Sequence, residues 1–179
     1  MARLDDVVYD GAHGYVEFQS TVVSDRGPHS AESTWGADFA ITADLRQDNT
    51  RAAKAVLGQA KLSGILDKET RRNQYFYGQC EKMCEATDQI VALETPMAVG
   101  KTPAIRIVRP FTLQNEKPNN IKSKKYQQKK YGIDFDKPIT VGQYLVDFIS
   151  CFHGDPRGEF VQATRNSRLT KLHILGRAH

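Results

Sequence analysis

Three polar side chains on two neighbouring segments of the chain carry the groups that hydrolysis of a phosphodiester needs. Asp38 supplies a carboxylate, and Gln59 and Lys61 supply an amide oxygen and an amine. A magnesium ion held by hard oxygen ligands neutralises a phosphate and positions water. Asp38, Gln59 and the backbone carbonyl of Ala60 are therefore candidate ligands. Lys61 can orient or deprotonate the attacking water, or offset charge in the transition state.

Two predicted strands have to bring these side chains together. Apolar and polar residues alternate over 37–45, and segment 54–62 also has the character of a strand. Segment 46–53 is polar and is expected to form the connection between them. Because side chains alternate between the two faces of a strand, Gln59 and Lys61 are expected to project from the same face.

The register of this hairpin decides whether the three side chains meet. With Leu45 opposite Lys54 in an antiparallel pair, Asp38 lies opposite Lys61 and on the same face as Gln59. Directly opposed residues have Cβ atoms about 4.5–5.5 Å apart. A slip of one residue would destroy the arrangement. The alternative is that Asp38 and Lys61 form only a cross-strand ion pair on a solvated face, which contributes little to stability.

The same residues resemble the active-site signature of the PD-(D/E)XK nucleases. The resemblance is carried by segment 36–38, Gly-Ala-Asp, then a hydrophobic strand, then segment 59–61, Gln-Ala-Lys. The Gln-x-Lys form is similar to the variant found in Mrr-like restriction enzymes and related defence nucleases. Glu32 ahead of the aspartate, and segment 79–83 on the following helix, also resemble members of this superfamily. The resemblance covers about residues 15–95 of the chain.

The resemblance implies a fold, a site and an activity. The fold is α/β, a restriction-endonuclease-like mixed central β-sheet flanked by helices. Asp38 would bind metal, Gln59 would replace the usual acidic ligand, Lys61 would be the catalytic lysine and Glu32 an additional ligand. Gln59 brings no negative charge, and Ala37 stands where the family usually has a proline. The implied activity is a Mg²⁺-dependent endonuclease acting on DNA in defence against foreign DNA, with Mn²⁺ as a substitute ion.

The remaining segments complete an α/β pattern, which we expect to form a single domain over 1–179. The patterns predict a strand over 15–24, a helix over 69–87 capped by Asp67, strands over 89–93 and 104–108, a polar loop over 115–137, a helix over 141–152, and a strand or hairpin over 160–175. Strands and helices in this order favour a central mixed sheet with helices packed on it.

The composition is that of an ordinary globular protein, with 40% hydrophobic and 26% charged residues. No apolar run approaches the roughly 20 residues of a membrane span, and the acidic, polar N-terminus is not a secretory signal. Three cysteines do not form a disulfide framework, so we expect a cytoplasmic protein with no membrane association. Cys80, Cys84, Cys151 and His153 form an alternative zinc set, although buried thiols are the preferred interpretation.

Much of the positive charge falls in one polar segment. Five lysines crowd there, with Tyr126 and Tyr131 among them: Lys122, Lys124, Lys125, Lys129 and Lys130. They are candidates for contacts with DNA phosphates, and the tyrosines are candidates for stacking on unpaired bases; a solvated loop is the alternative. DNA is the expected partner, with a homodimer or a larger defence complex as the assembly. Alternative functions are a catalytically inactive nucleic-acid-binding module or a protein-interaction subunit with the nuclease fold.

Overall fold

The computed structural model describes residues 7–12, 14–22, 30–62, 71–97, 100–112, 131–150 and 153–178. Within these ranges the chain forms nine strands and four helices. In chain order they are β1 (Val7–Gly11), β2 (Gly14–Thr21), α1 (Ala31–Trp35), β3 (Phe39–Gln47), β4 (Thr50–Leu62), α2 (Arg71–Ala86), β5 (Ile90–Thr95), β6 (Ala104–Thr112), β7 (Tyr131–Phe135), β8 (Ile139–Thr140), α3 (Val141–Ile149), α4 (Gly158–Asn166) and β9 (Thr170–Ala178).

The described strands form one mixed sheet. Its order is β1-β2-β9-β3-β4-β5-β6-β7, and the short β8 also pairs with β6. The pairs β9/β3 and β4/β5 are parallel, and the other pairs are antiparallel. The prediction of an α/β fold with a mixed central sheet is thereby confirmed. None of the helices formed by the described residues combines the length and the apolar character that a membrane span requires.

Helices pack on both faces of this sheet. On one face, α2 and α4 cover an apolar cluster that includes Leu57, Ala92, Phe76, Cys80, Met83 and Phe160. On the other face, α3 covers a second cluster that includes Val56, Val91, Ile174, Tyr144 and Phe148. Gln59 and Lys61 share the odd positions of β4 with Leu57, so they lie on the face that α2 covers.

The β3–β4 hairpin is tighter than the sequence pattern predicts. Gln47 pairs with Thr50, so only Asp48 and Asn49 form the turn. Asp48 has φ 50, and two-residue hairpin turns favour Asp and Asn because they tolerate positive φ. The polar segment 46–53 therefore belongs mostly to the two strands, and its assignment as a connection was wrong.

The predicted register of this hairpin was wrong by two residues. Leu45 pairs with Ala52, and Lys54 pairs with Ala43. Since side chains alternate with a period of two, a shift of two residues leaves every side chain on its expected face. Asp38, immediately before β3, comes level with Gln59 rather than with Lys61 when the observed register is continued.

The C-terminal prediction was wrong in its first half. Segment 160–175 was expected to be a strand or hairpin, but α4 continues to Asn166 and only Thr170–Ala178 forms a strand. Phe160, Val161 and Thr164 are buried, at a spacing that fits one face of a helix. β9 then lies in the middle of the sheet, between β2 and β3.

Most of the other predicted elements are present with shifted ends. The predicted helix 69–87 is confirmed as α2, Arg71–Ala86, whereas Asp67 lies outside the described residues. The predicted loop 115–137 includes a strand that was missed, Tyr131–Phe135, which pairs with β6. The sequence patterns also missed β1 and the short helix α1, and α1 carries Glu32.

Candidate active site

A tight turn after α1 delivers Asp38 to the edge of β4. Ser30 caps α1 by accepting a hydrogen bond from the Ser33 amide at 3.1 Å. Gly36 ends the helix with φ 71, and its amide donates to the Glu32 carbonyl. Two residues later, the Asp38 amide donates to the carbonyl of Gly58 at 2.9 Å. The turn thus fixes the position of Asp38 beside the strand that carries Gln59 and Lys61.

Gly36 also permits a close contact between α1 and α2. A Cβ atom at this position would lie 2.4 Å from the carbonyl oxygen of Gln79 and 2.8 Å from Cβ of Lys82. The backbone of Gly36 therefore rests directly on α2, where any side chain would separate the two helices. Lys82 strengthens this junction by donating from Nζ to the Ser33 carbonyl at 2.8 Å.

The carboxylate of Asp38 is held by two donors from β4. Its Oδ2 accepts from the Ala60 amide at 2.9 Å, and its Oδ1 accepts from Nε2 of Gln59 at 3.2 Å. Gln59 is fully buried, and the same Nε2 also donates to the Gly36 carbonyl at 2.7 Å. These hydrogen bonds fix the orientation of the Asp38 carboxylate in the absence of a ligand.

Lys61 lies on the other side of Gln59. Its Nζ donates to Oε1 of Gln59 at 2.7 Å and to Oε1 of Gln79 at 3.0 Å, and it lies 5.5 Å from the centre of the Phe76 ring. Lys61 therefore reaches Asp38 through the amide of Gln59, and these two charged residues form no direct ion pair in the described part of the chain.

Gln79 links Glu32 to the same network. Its Nε2 donates to Oε1 of Glu32 at 2.9 Å, while its Oε1 accepts from Lys61. The side chains therefore form one continuous chain of hydrogen bonds, in the order Glu32, Gln79, Lys61, Gln59 and Asp38. All four residues predicted to be catalytic are brought together.

The sequence patterns do not predict the role of Gln79, although it lies in segment 79–83. A signal was present, because a glutamine three residues after Phe76 and one before Cys80 falls on the buried stripe of α2. Gln79 is indeed buried. A polar side chain on such a stripe requires a partner, and here it has two.

The oxygen atoms around Asp38 fit a hard cation in part. The Ala60 amide points to Asp38, and because the N–H and C=O of a strand residue point to the same side, so does the Ala60 carbonyl. One carboxylate, one carbonyl and water match the usual environment of Mg²⁺. Gln59 fits less well, since its NH₂ group faces Asp38 while its oxygen faces Lys61. Ligation by Gln59 would require its amide to rotate.

The zinc alternative finds no support in the described residues, among which no group of three or more His, Cys, Asp or Glu side chains is placed to hold a metal ion. Burial raises the pKa of the Cys80 thiol, and it also raises the pKa of Cys84 to about 11, so both remain protonated at neutral pH. The ring of His153 stacks on the ring of Tyr144, with 5.5 Å between the two ring centroids. Cys151 lies outside the described residues.

The lysines predicted to contact nucleic acid (Lys122, Lys124, Lys125, Lys129 and Lys130) lie outside the described residues. The residues that flank them, Thr112 and Tyr131, pair with each other at the end of β6. The opposite end of β6 begins at Ala104, which pairs with Glu94, the β5 neighbour of Lys61. These two described residues therefore lie at the end of β6 remote from the candidate site.

No protein-family model matches this chain, and neither a curated protein nor a solved structure matches it. An assignment of function therefore depends on the geometry of the site and on the chemistry of its residues.

Proposed function

We propose that the chain is a metal-dependent endonuclease with a restriction-endonuclease-like fold, which hydrolyses phosphodiester bonds of DNA in defence against foreign DNA. The observation that carries this proposal is the hydrogen-bonded chain from Glu32 to Asp38, with Lys61 at its centre. It links two hydrogen-bonded carboxylates to one amine through a glutamine on each side. These are the groups that metal-assisted hydrolysis uses.

The carboxylate of Asp38 and the carbonyl of Ala60 would hold Mg²⁺, and Glu32 would be an additional carboxylate ligand. Mn²⁺ could replace Mg²⁺. A bound ion of this kind neutralises charge on the phosphate and polarises it for attack. Asp38 is suited to this task because its two hydrogen bonds, from Gln59 and Ala60, fix the carboxylate in advance. Such preorganisation lowers the cost of reaching the productive geometry.

Lys61 supplies the second function. Its ammonium group is held between two neutral amide oxygens, those of Gln59 and Gln79. Neutral partners orient the amine without cancelling its charge, so the charge remains available to stabilise negative charge that develops on the phosphate. From the same position the amine can orient the attacking water by hydrogen bonding.

The test is a nuclease assay of the wild type beside Lys61→Ala and Asp38→Ala, on supercoiled, linear and single-stranded DNA, with Mg²⁺, Mn²⁺ or EDTA. We expect metal-dependent cleavage by the wild type and a loss of at least roughly a hundredfold in each variant, with the fold retained. Arg46→Ala removes an exposed arginine next to the β3–β4 turn, at the end of β3 remote from Asp38, and serves as the control, with unchanged cleavage. Equal cleavage by Lys61→Ala would refute the assignment of the catalytic lysine.

A DNA-binding domain without catalysis is a second candidate. The observation that favours it is the orientation of Gln59, whose NH₂ group occupies the side of Asp38 where an acidic ligand would bind metal. This candidate predicts that folded wild-type protein binds DNA but cuts none of the substrates with any of the ions. In that case Lys61→Ala would reduce DNA affinity by no more than the contribution of Lys61 to binding.

A further inference from the structure

A second pair of charged residues lies beside Lys61 on the same face of the sheet. Glu94 of β5 is the direct parallel neighbour of Lys61 on β4. Directly paired residues project from the same face, so the carboxylate of Glu94 lies on the α2 side together with the candidate site. Glu94 is only 6% exposed.

The partner of Glu94 is an arginine on the next strand. Arg106 of β6 lies diagonally from Glu94, with 3.0 Å between its Nε and Oε1 of the carboxylate. The residues directly opposite these two are alanines, since Glu94 pairs with Ala104 and Arg106 with Ala92. Small side chains at both positions leave room for the diagonal contact. The Arg106 side chain remains 16% exposed.

Stability alone gives little reason for this pair. Removing two charges from water costs several kcal/mol per ion, and an apolar pair of similar volume is often as stable or more so. The neighbours on this face, Ala92 and Val108, belong to the apolar core. Two charges at the edge of that core, next to a candidate catalytic lysine, therefore suggest a role in binding a ligand.

We infer that Arg106, positioned by Glu94, binds a phosphate of the nucleic acid adjacent to the one at Lys61. This inference rests on the proposed nuclease function and adds the path of the substrate. Arg106 on β6 is level with Gln59 of β4, so it lies two strands across and two residues along from Lys61. With strands about 4.8 Å apart and about 3.3 Å per residue, the Cα atoms of Arg106 and Lys61 are roughly 12 Å apart. The nucleic-acid backbone then crosses the ends of β4, β5 and β6. A planar guanidinium is suited to this contact, because it presents several donors to phosphate oxygens.

The test measures the salt dependence of DNA binding in EDTA, where metal-dependent cleavage cannot interfere. A fluorescent duplex and a single strand are titrated with wild type, Arg106→Gln and Arg106→Lys over a range of NaCl concentrations. Loss of one phosphate contact should reduce the slope of log K against log salt by about 0.9 for the duplex or about 0.7 for the single strand. Affinity should fall roughly tenfold regardless of base sequence. Arg106→Lys should retain the slope, because it keeps the charge.

Arg109→Gln is the matched control. It changes the same residue type on the same strand, and Arg109 is also paired with a carboxylate, that of Asp136 at 2.7 Å. Arg109 is three residues from Arg106 on the same strand, so its side chain lies on the opposite face of the sheet. The slope of log K against log salt for Arg109→Gln should therefore stay at the wild-type value. Arg106→Gln leaves Glu94 without this partner and can destabilise the fold, so the double variant Glu94→Gln/Arg106→Gln is measured beside it. The double variant should show the same reduced slope.

The outcomes separate this inference from the proposed function. An unchanged slope in folded Arg106→Gln or in the double variant, with a wild type that cuts DNA, would overturn the phosphate contact and leave the nuclease intact. A reduced slope in a protein that never cuts would support the contact and overturn the catalytic proposal. A wild type that binds no DNA at low salt would overturn both.

Discussion

Gln59 joins the two charged residues of the candidate site without carrying a charge itself. Its oxygen accepts from Lys61, and its NH₂ group donates to Asp38 and to the Gly36 carbonyl. A buried amide can satisfy an ammonium on one side and a carboxylate on the other because it is both donor and acceptor. The arrangement keeps Asp38 and Lys61 close while preventing them from neutralising each other directly.

Replacement of this amide by a carboxylate tests which role Gln59 has. In Gln59→Glu the contact with Lys61 survives, but donation to Gly36 is lost and a second negative charge lies next to Asp38. We expect the metal-free protein to lose about 1–3 kcal/mol of unfolding free energy. Metal should reverse part of this loss, because two carboxylates attract a divalent ion more strongly than one does. Thermal unfolding with and without Mg²⁺ measures both effects.

Cleavage by Gln59→Glu provides the second readout. If Gln59 stands in for an acidic ligand, the variant should stay active and reach half-maximal rate at a lower Mg²⁺ concentration than the wild type. Gln143→Glu is the control, since Gln143 is an exposed residue of α3 whose side-chain amide donates to Asp147 on its own helix. A folded Gln59→Glu protein that does not cut DNA would argue that Gln59 positions Lys61 and is not a ligand.

The junction between α1 and α2 determines whether Glu32 and Asp38 can reach the network. In Gly36→Ala the new Cβ would lie 2.4 Å from a backbone oxygen of α2, at a residue with φ 71. Backbone cannot move aside as a flexible side chain can, so α1 has to shift. We expect a loss of about 1–3 kcal/mol in unfolding free energy, and a loss of cleavage larger than this instability explains.

Gly142→Ala is the control for Gly36→Ala. Gly142 lies in α3, and a Cβ added there would meet no described atom within 4 Å outside its own helix and its chain neighbours. Alanine in a helix is favoured over glycine by about 0.5–1 kcal/mol, so this variant should be slightly more stable and fully active. Chemical denaturation followed by circular dichroism compares the two variants. Equal stability and activity of Gly36→Ala and wild type would show that α1 does not need this close approach.

The faces of the strands could be predicted from the sequence, whereas their ends and register could not. Alternation over 37–45 and 54–62 places Asp38, Gln59 and Lys61 on one face, and the two-residue error in register left that result intact. The register depends on a turn at Asp48 and Asn49, which the polar character of the surrounding residues obscured. The position of β9 between β2 and β3 depends on contacts distant in sequence, which local periodicity does not encode.

The same limit applies to the site. Asp38, Gln59 and Lys61 could be found because they follow a local spacing on adjacent strands. The contact of Glu32 with the site runs through Gln79, and it depends on how α1 packs against α2. The ion pair of Glu94 with Arg106 depends on pairing between β5 and β6. Such contacts follow from tertiary structure, and only the polar residue within an apolar helical stripe offers a sign of them in the sequence.

Asp155 connects three parts of the fold. Its backbone pairs with Ala55 of β4, and its carboxylate accepts from the hydroxyl of Thr87, immediately after α2, at 2.8 Å. Arg157 donates both to this carboxylate and to the Ala86 carbonyl at the end of α2. The residue thus joins the central sheet, the C-terminal end of α2 and the segment that leads into α4.

This connection should make the stability of the protein sensitive to acid. Burial opposes ionisation of Asp155, but hydrogen bonds from Arg157 and Thr87 outweigh it and hold the pKa of the carboxyl below its usual value. A lowered folded-state pKa contributes stability that is present above the unfolded pKa of about 3.9 and is lost as pH falls through the folded value. Unfolding free energy should therefore decrease as pH falls below about 4.

Asp155→Asn removes the titrating group from this connection. We expect it to lower the unfolding free energy at pH 7 by about 1–3 kcal/mol, and to weaken the dependence on pH below about 4. Asp147→Asn is the control, because its carboxylate accepts a hydrogen bond from Gln143 on the same helix and should matter much less at pH 7. Urea unfolding at a series of pH values measures both variants. If Asp155→Asn keeps the wild-type pH profile, the acid sensitivity arises elsewhere and the connection at Asp155 does not depend on its charge.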